Sequence, residues 1–291
     1  MNRTIVSHKT SLLGQRDDNE DVERIRMNLS PEGKANDPKY APIDFFVICD
    51  GHGGKSVAQF VAPKLEKYFI SRHNDFPIAQ KKIANIYEHI QKELINSGIA
   101  NHCGCTALVV IRYLDKYGKE NIQVINIGDC RAVLSKKGLA LPLSKDHKPI
   151  WPDEKRRIDN VNRRHRTNKE IHYEAGDWRI GDLSVSRSFG DLDNTPHVSH
   201  VPDVYNYQLQ DDDEFIVLAC DGVWDVLENH EVVNFVRDHI KNKPDHLSFY
   251  KIPGRYPSME VNETENIARK LASYAIARGS SDNVSVITVF L

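Results

Sequence analysis

FFVICDGHGG (residues 45–54) is the stretch that decides the fold, because it joins an apolar run to a cluster of polar residues. Its first five residues are apolar and predict a strand buried in the core. The strand then ends abruptly in Asp50, Gly51 and His52, followed by two more glycines. Asp-Gly is a common turn dipeptide, so a tight turn accounts for Asp50 and Gly51. A turn leaves His52 and the glycines after it unexplained.

Three other segments also place carboxylates at the edge of a predicted strand. EFIVLACDGVWD (214–225) is a second apolar run that closes on Cys-Asp-Gly, and Asp282 directly precedes the last predicted strand. Near the N-terminus, GQRDDNED (14–21) gathers an arginine and several carboxylates before another alternating segment. A turn explains one acidic strand edge, whereas four such edges in distant parts of the chain predict a common site.

The bulk composition is that of an ordinary globular protein. The chain has 291 residues, of which 40% are hydrophobic and 27% charged, and its formal net charge is −2. This charge provides no global field for nucleic acid or an anionic membrane. The first ten residues lack the apolar core of a signal peptide, and no stretch reaches transmembrane length, so we expect a cytoplasmic or nuclear protein. Five cysteines, an odd number, indicate reduced, buried thiols rather than disulfides or a zinc site.

Short alternating segments dominate the chain. Several are joined by turn residues, as in DKYGKE (115–120), which indicates antiparallel hairpins. The predicted strands are Ile5–Lys9, Val22–Met27, Asp44–Cys49, Thr106–Leu114, Asn121–Ile127, Ala132–Ser135, Leu183–Ser186, Glu214–Ala219 and Val284–Leu291.

Two blocks of apolar residues at helical spacing interrupt these strands. The first block predicts two helices within residues 54–98, with a kink at Pro63. The second predicts helices over Glu231–Lys241 and about Glu263–Arg278. The order along the chain is strands, a helix pair, strands and a second helix pair. This order predicts an α+β fold in which helices cover stacked antiparallel sheets. No long linker divides the chain, so we expect one domain over residues 1–291.

The clustered carboxylates suggest a bound cation, because like charges repel and raise one another's pKa unless a cation neutralises them. Oxygen ligands without histidine or thiolate select hard ions such as Mg²⁺ or Mn²⁺, and Gly51 would let its carbonyl approach one closely. Two such ions about 4 Å apart would activate a water and clamp phosphate oxygens. Arg16 offers a planar fork for phosphate, and His52 can give a proton to the leaving oxygen. The residues alone leave open the alternative that these aspartates form turns or caps.

The order of the motifs resembles the metal-dependent protein phosphatase 2C family, also called the PPM family. Each motif is weak alone, but the ordered series is specific and extends over about residues 4–291. The segments similar to family elements are RDDNED (16–21), DGHGG (50–54), GCTA (104–107), NIGDCRA (126–132), DHKP (146–149), SRSFGD (186–191), DGVWD (221–225) and SDN (281–283).

This resemblance implies a β-sandwich of two antiparallel sheets flanked by helix pairs, in agreement with the element order above. It also implies a hydrolase, a protein serine/threonine phosphatase that depends on two Mg²⁺ or Mn²⁺ ions. By the same resemblance, Asp50 bridges the two ions and the Gly51 carbonyl binds one of them. Asp221 and Asp282 ligate the other ion, and Glu20 holds a metal-bound water.

The resemblance further implies that Arg16 binds the phosphate and that His52 acts as general acid. Asp129 and Asp225 correspond to a weaker third-metal site present in some members. Phosphorylated proteins are the expected partners, and we expect a monomer that binds neither membrane nor nucleic acid.

The chain departs from the family pattern in two places. A basic, Asn-rich stretch from Asn160 to Lys169 replaces a short segment with paired glycines, so the substrate preference of relatives does not transfer. We predict that the whole basic run, 154–170, is a solvated surface helix and loop, with a nuclear signal or nucleic-acid patch as alternatives. If it lies beside the cleft, it would attract an acidic substrate. Cys105 replaces a serine, and segment 246–259 is predicted as a packed loop, with a partner surface as the alternative.

Two other functions compete with a phosphatase. A binding module that has lost catalysis would lack metal ligands, but Asp50, Gly51, Asp221 and Asp282 are all present. A nucleic-acid-binding protein would use the basic run, and the net charge of −2 does not favour it.

Overall fold

The computed structural model describes residues 5–29, 43–71, 75–241 and 266–291. Within these ranges the helices are α1 (Ser56–Phe69), α2 (Gln80–Ser97), α3 (Pro152–His165), α4 (Asp221–Trp224), α5 (Asn229–Lys241), α6 (Ile267–Ala277) and a short 3-10 helix (Leu192–Asn194). The strands are β1 (Val6–Leu12), β2 (Val22–Leu29), β3 (Ile43–Cys49), β4 (Gly51–His52), β5 (Gly104–Cys105), β6 (Ala107–Leu114), β7 (Glu120–Ile127), β8 (Arg131–Lys136), β9 (Leu139–Pro142), β10 (Ile171–Glu174), β11 (Asp177–Ile180), β12 (Phe189–Gly190), β13 (Asp203–Gln208), β14 (Asp213–Ala219) and β15 (Val284–Phe290).

Two five-stranded antiparallel sheets face each other. Sheet I has the strand order β1-β15-β14-β8-β9, and sheet II has the order β13-β7-β6-β3-β2. All seven residues of β3 are buried, and so are all seven of β15. A strand covered on both faces has a continuous apolar sequence rather than an alternating one, which explains the apolar runs.

The apolar core has three layers, because successive side chains of a strand point to opposite faces of its sheet. In β3, Phe46 and Ile48 pack between the two sheets. Phe45 and Val47 pack on the other face against α1 and α2. The outer face of sheet I packs in the same way against α4, α5 and α6. The predicted α+β sandwich with flanking helix pairs is therefore confirmed.

The predicted helices are present, with some of their ends shifted. α1 continues through Pro63, where the kink stays a prediction. α2 ends at Gly98, which takes the left-handed φ of 72° that glycine tolerates. α6 follows Asn266, whose side chain caps the helix by accepting a backbone hydrogen bond. Its predicted start, Glu263, and the segment 246–259 lie outside the described residues.

The predicted strand Leu183–Ser186 is wrong. Leu183 forms a single isolated bridge with Ile180. Ser186 is buried in a loop, where its hydroxyl donates to Glu154 Oε2 at 2.7 Å. The alternation of apolar and polar residues therefore arises from a loop that packs on a polar network. Seven of the described strands were not predicted: β4, β5, β9, β10, β11, β12 and β13.

All five cysteines are free and buried, which confirms the prediction of buried thiols without disulfides. Among the helices that the structure describes, none is both long enough and apolar enough to cross a bilayer.

The basic run forms α3 and the loop after it, and most of α3 is exposed, which confirms the predicted surface helix. The helix is anchored by Glu154, a buried carboxylate between two arginines. Glu154 Oε1 accepts from Arg187 Nη2 at 2.6 Å, and Glu154 Oε2 accepts from Arg157 Nε at 2.9 Å. Burial alone would raise the pKa of Glu154, but the hydrogen bond from Arg187 and the two guanidinium charges lower it to about 2.

We expect Glu154→Gln to destabilise the protein by about 3 kcal/mol at neutral pH, the equivalent of that pKa shift. Because the pKa of Glu154 is lower in the folded chain, its contribution is full above the unfolded value of 4.5 and is lost as the pH falls from there toward 2. The difference between wild type and variant should shrink by about 1.4 kcal/mol at about pH 3.5.

Urea unfolding of both proteins across this pH range measures the effect. Glu174→Gln, at a carboxylate that is 65% exposed, is the control and should leave the stability nearly unchanged. A gap between wild type and Glu154→Gln that does not vary with pH would contradict the assigned shift.

Candidate metal centre

The predicted site residues meet in one cleft at an end of the sandwich. The cleft has a volume of about 490 Å³, and eight of the nine residues predicted from the sequence line it. These eight are Arg16, Glu20, Asp50, Gly51, His52, Asp129, Asp221 and Asp282. The ninth, Asp225, follows Asp221 by one helical turn, with its backbone N–H bonded to the Asp221 carbonyl at 2.9 Å.

Both sheets deliver carboxylates to this cleft. Asp50 follows β3 of sheet II, whereas Asp221 follows β14 of sheet I and starts α4. Asp282 lies just before β15, the neighbour of β14. Arg16 and Glu20 lie in the connection between β1 and β2. These side chains therefore come together at the ends of strands, as the four acidic strand edges in the sequence predicted.

Gly51 allows two of these segments to approach closely. A Cβ at position 51 would lie 2.6 Å from the backbone carbonyl oxygen of Glu20, too close for any side chain. The sequence had suggested that Gly51 frees its own carbonyl for a metal. The contact with Glu20 is a separate, steric reason for glycine.

The centre of the cleft is a group of three carboxylates. Oxygens of Asp50, Asp129 and Asp221 lie within 4.8 Å of one another. Burial raises the pKa of Asp50 well above its usual range, and the charge of Asp221 raises it further. Burial has the same effect on the pKa of Asp221, with added repulsion from Asp129 and Asp225. The group is therefore poorly compatible with full ionisation unless a cation is bound.

Two buried carboxylate oxygens of this centre also have no hydrogen-bond partner among the described residues. They are Oδ1 of Asp221 and Oδ2 of Asp21. An unpaired buried carboxylate oxygen is costly, and an ion would satisfy it. The group of Asp50, Asp129 and Asp221 offers only oxygen donors, which suit a hard divalent cation.

Asp21 was not among the predicted ligands. It forms a second close group with Asp50 and Cys220, and burial raises its pKa to about 6. The sequence signal was present, because Asp21 ends the acidic segment 14–21. Nothing in that segment indicates which of its four carboxylates turns inward.

Arg16 and Asp282 form an ion pair at the mouth of the cleft. Arg16 Nη2 donates to Asp282 Oδ2 at 2.7 Å, and the arginine side chain is 57% exposed. Exposed ion pairs of this kind contribute little to stability, so the guanidinium can exchange its partner for another anion. Glu20 is fixed by its backbone N–H, which donates to the Asn283 side chain at 2.9 Å.

His52 is held by Asp191, a second residue that was not predicted from the sequence to belong to the site. His52 Nε2 lies 2.7 Å from Asp191 Oδ2, and Ser188 also donates to this carboxylate. Burial would lower the pKa of His52, but the hydrogen bond to Asp191 and nearby negative charge raise it overall. Gly104 leaves room for the pair, since a Cβ there would lie 2.4 Å from His52 Nε2. The imidazole is therefore oriented with Nδ1 as its remaining donor.

The residues that form one wall of the cleft were also not among the predicted site residues. Arg179, Asp182 and the residues 183–185 line it beside Thr106. Arg179 belongs to β11 of the hairpin that follows α3. The basic run is thus connected in sequence to the wall of the cleft.

Comparison with known proteins identifies the family. A sequence model of protein phosphatase 2C matches residues 9–284. This chain therefore belongs to the protein phosphatase 2C family, as the motif order predicted.

Individual relatives agree with this assignment. The chain is 74% identical over 172 residues to a PP2C-like domain-containing protein of Acanthamoeba polyphaga mimivirus, an alignment that covers 59% of this chain and 95% of that protein. It is 34% identical over 275 residues to probable protein phosphatase 2C 11 of Arabidopsis thaliana, with 92% of this chain aligned. The chain spans 63% of the length of that relative.

Solved structures share the fold. A phosphatase from a pathogenic strain of Toxoplasma gondii superposes with a TM-score of 0.74 at 21% identity. The match covers 98% of this chain and 92% of that structure. At this identity the similarity concerns the fold alone.

We expect Asp221→Asn to stabilise the protein in EDTA and to abolish its stabilisation by Mn²⁺. The substitution removes one of the repelling charges at slightly alkaline pH, so the metal-free variant should unfold at a higher temperature than wild type. Thermal unfolding with EDTA and with Mn²⁺ measures both effects. Asp17→Asn, at an exposed carboxylate of the same cleft, is the control and should change neither. A variant that is less stable than wild type in EDTA would contradict the repulsion argument.

Proposed function

We propose that this chain is a metal-dependent protein serine/threonine phosphatase that hydrolyses phosphoserine and phosphothreonine in protein substrates. The observation that carries the proposal is the buried group of Asp50, Asp129 and Asp221, which opens into a cleft with Arg16 and His52. Membership of the protein phosphatase 2C family supports the same reaction. We also propose that residues 1–291 act as one catalytic domain, supported by the apolar core shared between the two sheets.

Two divalent ions, Mg²⁺ or Mn²⁺, would be held by the residues at the strand ends. Asp50, the Gly51 carbonyl, Asp221 and Asp282 would supply the ligand oxygens. Glu20 would orient a water of the ion shell. When bound, the ions supply positive charge to phosphate oxygens and lower the pKa of a water that attacks phosphorus. Asp129 and Asp225 would bind a weaker third ion.

Arg16 would bind the phosphate of the substrate. Its guanidinium lies at the mouth of the cleft, paired with a single carboxylate and largely exposed. A planar guanidinium can donate two parallel hydrogen bonds to phosphate oxygens, which fixes the orientation of the ester.

His52 would donate the proton that the leaving serine or threonine oxygen requires. Asp191 binds Nε2, so Nδ1 is the nitrogen left to donate to the substrate. An alkoxide is a poor leaving group, whereas the corresponding alcohol leaves readily. The pair of Asp191 and His52 therefore positions an acid at the leaving-group side of the phosphate.

No described feature favours nucleic-acid binding over this reaction. Arg157, the one arginine of the basic run that is not exposed, is engaged with Glu154. A phosphatase-like module without catalysis would need a broken ligand set, whereas Asp50, Gly51, Asp221 and Asp282 all line one cleft.

We expect His52→Ala to slow hydrolysis of a phosphoserine peptide by about 10²–10⁴-fold, the usual effect of losing a general acid. It should slow p-nitrophenyl phosphate far less, because p-nitrophenolate leaves without a proton. Asp191→Asn should give the same pattern with a smaller effect. Turnover of both substrates measures the split, with His102→Ala as a control, because that side chain is 89% exposed. Equal slowing of both substrates would remove His52 from the acid role.

Hydrolysis of the phosphoserine peptide should require Mn²⁺ or Mg²⁺ and stop in EDTA. Asp221→Asn should lose at least about 10²-fold in kcat, since a direct ligand of the centre would be weakened. Phosphate release with each metal, and with a phosphotyrosine peptide for comparison, measures metal dependence and substrate class. Full turnover after chelation would overturn the proposed function.

A further inference from the structure

Lys148 brings a positive charge into the carboxylate group, and the proposed reaction gives it no role. Its Nζ donates to Asp129 Oδ2 at 2.6 Å and lies 3.5 Å from Asp177 Oδ2 at the start of β11. The Lys148 side chain is only 15% exposed, although lysine is rarely buried without a partner. Breaking a buried ion pair leaves a charge uncompensated, so this contact is not easily given up.

The charges around Lys148 belong to the carboxylates assigned to the third ion. Burial would lower the pKa of Lys148, but the charges of Asp129, Asp221 and Asp225 raise it well above its ordinary range. The ammonium and a divalent ion are thus attracted to the same oxygens. Because Lys148 already donates to Asp129 Oδ2, an ion that uses this oxygen is repelled by the ammonium and has to compete with it.

We propose that Lys148 is a tethered cation that occupies the Asp129 side of the third-ion position and competes with a divalent ion for it. This inference rests on the proposed function, because it concerns the same centre. A competitor attached to the same chain is present at a high effective concentration, of the order of millimolar for a short tether. The ammonium of Lys148 would therefore weaken the binding of a third ion at Asp129.

Mn²⁺ binding to the full chain tests this competition. Lys148→Met keeps the apolar stem of the side chain and removes its charge. Lys145→Met is the matched control, because Lys145 lies on the same loop, is 40% exposed and pairs with Asp153 at 2.9 Å. Calorimetric titration with Mn²⁺, together with electron paramagnetic resonance of the free ion, gives the number and affinity of bound ions.

We expect Lys148→Met to bind its weakest Mn²⁺ at least tenfold more tightly than wild type and Lys145→Met. In EDTA the same variant should unfold at a lower temperature, because the carboxylates lose their internal cation. Unchanged or weaker binding of the third ion would overturn the inference, while two remaining tight ions would leave the proposed function standing. Wild type that binds no Mn²⁺ would overturn both.

Labelling of lysines in wild type gives a second measurement that needs no variant. An acylating reagent should modify Lys148 slowly in EDTA and faster at Mn²⁺ concentrations that fill the weakest site. Lys145, followed by mass spectrometry in the same sample, is the internal reference. Protection of Lys148 that persists after the third ion has bound would overturn the inference even if Lys148→Met failed to fold.

Discussion

Repulsion among buried carboxylates is the constraint on which this structure depends. Asp50, Asp129 and Asp221 are held within 4.8 Å of one another by a fold that gains nothing locally from their proximity. The apolar packing between and outside the two sheets must offset that cost. Within the chain, Lys148 offsets part of this repulsion, because its ammonium lies beside Asp129. A bound cation, as proposed above, would supply the rest.

The two sheets have to be assembled before the centre exists. Asp50 follows a strand of sheet II and Asp221 follows a strand of sheet I, so neither sheet alone can bring their oxygens together. The strands that carry them, β3 and β14, have little or no exposed surface, and their side chains are fixed on both faces. Packing of this density restricts rotamers and backbone movement. Formation of the core and formation of the ligand set are therefore one process.

Local sequence was sufficient for the central strands of both sheets and for most of the cleft. The runs before Asp50 and Asp221 are continuous because both strand faces are covered, and the Asp-Gly pairs indicate where the chain turns. Contacts between residues that are distant in the sequence could not be predicted in this way. His52 and Asp191 are 139 residues apart, and no spacing rule relates them. The strand predicted over residues 183–186 was wrong for a related reason. Apolar and polar residues alternate in a loop that packs on buried polar groups in the same way as they do in a strand.

The floor of the cleft and one of its walls are anchored to different parts of the apolar core. Its floor belongs to the main sandwich, whereas the hairpin that forms one wall rests on a small cluster around Ile158, Ile180 and Val198. Changes in the hairpin would disturb few contacts of the main core. This wall could therefore be exchanged in evolution, which would change the groups that meet a substrate of the proposed phosphatase, while the carboxylate centre beneath it stayed as it is.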